Sequence, residues 1–141
     1  DIEIDYDTSL WYNNHMKSLQ AAYRSSPFYE YYEDDILKIF KKKHRLLIDL
    51  NIDMHQFVME SLQKGSKFTK TQQFEIEPQY KDFRTLSNAK SKTKYKFPTY
   101  IQMFDERHGF QENLSIIDLL FMEGPASYKY LKEISLTPPR I

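Results

Sequence analysis

GFQENLSIIDLLFMEGP, residues 109–125, is the stretch whose reading decides the fold. It holds two of the chain's three glycines and the densest apolar run, Ile116, Ile117, Leu119, Leu120 and Phe121. Ser115 stands three residues ahead of Asp118. A hydroxyl there accepts from a free backbone N–H, and an acid three positions on can reach back to the cap, so the pair marks a helix start. Gly124 followed by Pro125 is a stop, because glycine tolerates left-handed φ and proline cannot continue a helix. The run therefore predicts a short, almost wholly buried helix over 115–122, at the centre of an α-rich domain.

Working outward, the same logic finds further helices. Trp11, His15, Leu19 and Tyr23 fall four apart and predict a helix over 10–25, with Asp7, Thr8 and Ser9 as caps and Trp11 and His15 on its inward face. Pro27 ends it, and the aromatic run 28–32 reads as a packed corner. Asp34 and Asp35 mark a second helix start at the positive end of the dipole, with Ile36, Ile39 and Phe40 inward. Leu46 to Gln63 predicts a third helix, with Gly65 placed to end it. Ala126 to Glu133 predicts a last one. Ile2 and Ile4 alternate with acids, the period of a half-buried strand, and Phe74–Glu77 reads as a second short strand. Residues 88–96, NAKSKTKYK, carry four lysines and no acid and read as an exposed loop. The expected architecture is helix-dominated α+β: three to five packed helices with one or two short strands completing a sheet whose other strands lie upstream of this chain. One domain is expected over 1–132, followed by a tail over 133–141.

Composition removes several functions. The chain has 141 residues, is 40% hydrophobic and 28% charged, and balances 20 basic against 20 acidic side chains. It is long enough for one real core, and its zero net charge argues against a polyanion-binding protein. It contains no cysteine, which excludes a disulfide framework and a thiol nucleophile. No apolar run reaches the ~20 residues of a membrane span, and the acidic opening DIEIDYD does not read as a secretory leader. No nucleotide-cradling glycine loop, nucleophile elbow or His/Cys zinc pattern occurs, so no cofactor is named by the sequence and no metal site is expected.

The candidates that remain are single residues. His15 is a general-base candidate near neutral pH or a core histidine bonded to backbone. His108, beside Asp105, Glu106 and Arg107 in a loop, is a site candidate or a solvated side chain. Asn113, Ser115 and Asp118, at the edge of the central helix, are capping residues or catalytic ones. Arg24 and Arg84 offer anion clamps or surface ion pairs. Lys41–Arg45 is a phosphate-binding patch or the solvated last turn of a helix, and the Lys90–Tyr100 interleaving of lysine with Tyr95, Phe97 and Tyr100 offers weak single-strand stacking. Nucleic acid is not the expected partner.

Three runs taken together, Trp11-x-x-x-His15-x-x-x-Leu19, Ala22-Tyr23-x-x-x-Pro27-Phe28 and Asn113-Leu114-Ser115-Ile116-x-Asp118-Leu119-Leu120-Phe121-x-x-Gly124, resemble the WbqC-like protein family. Asn51, Tyr100-x-Gln102-x-Phe104 and His108-Gly109-Phe110 add to the likeness, which runs from about Asp1 to Leu131. The resemblance implies the C-terminal portion of such a domain, the N-terminal part of the same chain being a missing partner. It also implies a bacterial cytoplasmic protein of surface-polysaccharide (O-antigen) biosynthesis, acting as a transferase that moves glycine, or as a non-catalytic binding or scaffold component of that pathway. For a transferase with a sugar or an aminoacyl donor as small-molecule partner, His15, His108 and Asn113 are the catalytic candidates. Arg84, Arg24 and Trp11 are the substrate-binding ones.

Overall fold

The structure, a computed structural model, describes residues 2–7, 10–80, 82–87 and 97–134. The expected loop over 88–96, the tail from 135 and the proposed caps Thr8 and Ser9 lie outside the described residues. Helices α1 (Trp11–Tyr23), α2 (Tyr29–Lys41) and α3 (Leu47–Ser61) are followed by a single turn, α4 (Asp105–His108), and then by α5 (Ile116–Glu123) and α6 (Ser127–Glu133). α2 packs on α1, α3 and α5; α5 packs on α3 and α6.

The central helix forms as its sequence dictates. Ser115 Oγ accepts from the Ile117 N–H at 3.3 Å, and Leu119, Leu120 and Phe121 are buried. Gly124 ends the helix at φ 51°. Asp118 does not reach back to the cap. It turns inward, buried, to a different set of partners described below.

Gly124 meets two demands at once. Its positive φ strains any L-residue, and a Cβ built there would lie 2.6 Å from the Phe28 ring. The Phe28 backbone is tied to α5, its N–H donating to the Phe121 carbonyl at 3.0 Å, so only a turn of the ring itself could relieve the contact. Gly124→Ala is expected to cost about 2–4 kcal/mol, combining φ strain with overpacking; a urea titration showing less than about 1 kcal/mol would contradict the tight Phe28 contact.

Two corrections concern helix boundaries. The aromatic run is not a corner: Tyr29, Tyr32, Ile36 and Phe40 are the buried stripe of α2, which starts at Tyr29, so Asp34 and Asp35 lie mid-helix. The left-handed residue after α3 is Gln63, at φ 56°, rather than Gly65.

A third correction concerns the sheet. No strand occurs among the described residues. Phe74 and Ile76, read as strand, are 80% and 82% exposed in a segment without regular structure. The Ile2–Ile4 stretch does find a partner, Arg45–Leu47, which leads into the first residue of α3. The Ile4 N–H donates to the Arg45 carbonyl at 3.0 Å and the Leu47 N–H to the Ile2 carbonyl at 2.9 Å, a single antiparallel bridge between Glu3 and Leu46. Leu46 adopts extended φ and ψ before the helix begins, and that one residue is all the ladder the pairing has.

The basic run Lys41–Arg45 is largely used inside the fold. His44 is buried, with Nε2 2.7 Å from Asp53 Oδ2; Lys42 Nζ donates to the same oxygen at 2.6 Å, and Arg45 pairs with Glu3 at 2.9 Å. The hydrogen bond from His44, then that from Lys42, holds the Asp53 carboxyl below its usual value. A depressed folded value contributes stability that is present above the unfolded carboxylate value and is lost as pH falls through the folded one. Asp53→Asn is therefore expected to lose about 1–2 kcal/mol at pH 7 and to flatten the acid limb of the stability–pH curve, measured by thermal denaturation from neutral to acid pH. An unchanged acid limb would remove Asp53 from that role.

Candidate functional site

The most developed polar arrangement is built on Asp118. Its position in the first turn of α5, between Ile117 and Leu119, carries the carboxylate into the core, where it is 2% exposed. A bare buried carboxylate is costly. Here Tyr23, the last residue of α1, donates to Oδ2 at 2.9 Å, and Tyr100 donates to Oδ1 at 2.7 Å. Burial first, and the Asp118 hydrogen bond second, push both tyrosines well above the usual phenol value, so both remain neutral donors. Tyr100 is itself fixed edge-on between Phe110 and Tyr130, with centroids at 5.8 and 5.1 Å.

Above Asp118 opens a cleft of about 420 Å³ lined by Tyr23, Gln102, Phe104, His108, Gln111 and Leu114, among others. One side is the loop 102–111, which the side chain of Gln102 closes. Gln102 is buried; its Nε2 donates to the Gln111 carbonyl and its Oε1 accepts from the Gln111 N–H, both at 2.8 Å. A side-chain amide thus substitutes for a paired strand residue. Gln111 in turn donates to the His108 carbonyl at 2.8 Å, and Gly109 takes φ 64° to turn the chain. His108 is exposed on this pinned loop at the wall of the cleft.

A second cavity, of about 480 Å³, lies at the other end of α1 and is mostly apolar. Trp11, His15, Phe40, Leu50 and Met54 line it, with Glu3, Asp5 and Asn51 also contributing. Trp11 is half-buried, with its indole N–H donated to the Asp5 carbonyl at 3.1 Å. His15 is exposed rather than inward, edge-on to Trp11 with centroids 5.5 Å apart.

The predicted site residues therefore do not meet. The 13 residues from Trp11 to Tyr23 put their ends about 18 Å apart along the helix, and His15 and His108 line different cavities. Asn113 lines a third with Tyr100 and Tyr130, and its Nδ2 donates to the Leu86 carbonyl at 2.9 Å. Arg24 is exposed just beyond α1. Arg84 pairs with Asp82 at 2.6 Å, donates to the Ile76 carbonyl and lies 5.0 Å over the Phe74 ring. Tyr100 and Gln102 are not among the predicted site residues, and Asp118 is read from the sequence as a cap ahead of a catalytic group; a buried acid inside an apolar run is the signal that points to it. No group of metal-ligating side chains able to hold an ion occurs among the described residues.

Helices packed around a carboxylate-floored cleft, with none among the described residues long and apolar enough to cross a membrane, define a helical domain with a side pocket. The chain belongs to the WbqC-like protein family, whose model matches residues 1–91, more than half of the chain. That match takes in α1 to α3 and ends before loop 102–111 and α5. No curated protein and no solved structure matches the chain.

Proposed function

We propose that this WbqC-like protein is a transferase of bacterial surface-polysaccharide (O-antigen) biosynthesis, working in the cytoplasm and carrying glycine from an activated ester or thioester to a sugar. The observation that supports this reading is the cleft that places His108, on a loop pinned by Gln102, over the buried Asp118–Tyr23–Tyr100 cluster. Its volume lies in the range of small-molecule sites. In the proposed step the His108 imidazole takes the proton of the attacking sugar hydroxyl or amine. The new bond forms at the glycyl carbonyl carbon, and the donor oxygen or sulfur departs with the electron pair of the broken bond. Asp118 keeps the two tyrosines in place and does not exchange a proton.

The test is direct turnover by the purified chain, given a glycyl thioester and a series of nucleotide sugars and read by mass spectrometry of the sugar. His108→Ala is expected to slow transfer by about 10²–10⁴-fold, with folding unchanged because the side chain is exposed. Loss in His15→Ala with His108→Ala neutral would move the chemistry to the Trp11 cavity. A second reading, a non-catalytic binding or scaffold component of the same pathway, is favoured by one observation: His15, His108 and Asn113 stand on three separate cavities. Ligand-induced thermal stabilisation without turnover on any acceptor would select it.

A further inference from the structure

Charge in the cleft points to what it holds. Among the described residues its lining contains one carboxylate, Asp118, one imidazole, His108, and no lysine or arginine, so the described wall offers an anionic group no fixed cation. The carboxylate offers about four acceptor directions. Tyr23 and Tyr100 occupy one on each oxygen, which leaves acceptor capacity in a desolvated place. The walls beside it include the Tyr23 and Phe104 rings, whose faces attract cations.

We propose that this cleft binds a primary ammonium group, seated against Asp118 on the Tyr23 side. The proposal rests on the reading of the cleft as the transfer site and names the chemical class of its ligand. An ammonium is compact, approaches along one direction and needs only one remaining acceptor position on Oδ2. Its other protons are left for the carbonyls and side-chain amides of the loop wall.

The experiment compares glycinamide with glycolamide, which differ only by an ammonium in place of a hydroxyl, titrated into the full chain and followed by NMR shifts of the His108, Phe104 and Tyr23 rings. Glycinamide is expected to bind at least tenfold tighter, and Asp118→Asn to abolish that preference. Should Asp118→Asn not fold, Tyr23→Phe keeps the ring and frees Oδ2, and is expected to tighten glycinamide several-fold without affecting glycolamide. Equal binding of the two amides by the unaltered chain overturns the proposal, as does a preference for glycolate over both. Ammonium preference without turnover leaves this inference standing and removes the transferase reading; turnover without charge preference does the reverse.

Discussion

Phe121→Ala is expected to lower stability by about 3–5 kcal/mol, the range for truncating a fully buried aromatic ring, and to drop the melting temperature by roughly 10–15 °C. Phe121 has no exposed surface. Its ring contacts Tyr23 from α1 and Tyr29 and Tyr32 from α2, with centroids at 5.1, 5.2 and 6.4 Å. Those tyrosines cannot collapse into the void freely. Tyr23 is tethered to Asp118, and the Tyr29 hydroxyl donates to Glu33 at 2.9 Å. The cavity therefore persists, and its cost adds to the lost transfer energy. Phe74→Ala, at an 80% exposed ring, is the matched control and should change stability by less than about 0.5 kcal/mol. Circular dichroism melts of both variants decide the matter: comparable losses would mean that α5 is not the centre of the fold.

Asp118→Ala is expected to cost about 2–6 kcal/mol, because it strands two part-buried phenol hydroxyls at about 1–3 kcal/mol each. Tyr23→Phe with Tyr100→Phe should be at least as damaging, since it leaves a buried carboxylate without donors. The cluster also has an alkaline signature. Tyr23 and Tyr100 are raised, by burial and then by Asp118, and burial followed by the Glu33 hydrogen bond pushes Tyr29 up to about 12. A raised folded value means that the folded state keeps its proton longer than the unfolded chain. The stability is complete below the ordinary phenol value of about 10 and is lost as pH rises through the folded values. Phenolate absorbance followed against pH should show these rings titrating late and together with unfolding. In the double phenylalanine variant the alkaline loss should shrink to the share of Tyr29, Tyr32 and Tyr130, which burial also raises. Early titration of Tyr23 in the intact chain would contradict the Asp118 contact.

How much of this was legible in the sequence varies by element. α5 was readable because its cap, apolar run and glycine stop are all local, and the structure departs from the reading by one residue at each end. α2 was half readable: its spacing of Tyr29, Tyr32, Ile36 and Phe40 is helical, but the proline ahead of it and the paired aspartates drew the start too late. The α1 stripe was right in kind and wrong for His15. Trp11, Leu19 and Tyr23 are half-buried, while His15, on the same stripe, is exposed. The N-terminal pairing was hidden because its partner, Arg45–Leu47, has no strand pattern of its own. The Asp118 cluster was hidden for a different reason. Its donors lie 95 and 18 residues away, and nothing local to an acid in an apolar run says which hydroxyls will reach it.

Helix α1 has no fully buried residue, yet its last residue completes the cluster under the cleft. In hydrogen-exchange terms, α1 is expected to open at a lower free energy than α5, which carries four buried residues. Each opening of α1 withdraws Tyr23 and wets the Asp118 carboxylate. The integrity of the cleft is therefore one local unfolding equilibrium, and an occupant seated beside Tyr23 slows exchange along the whole of α1, out to amides some 18 Å from where it binds.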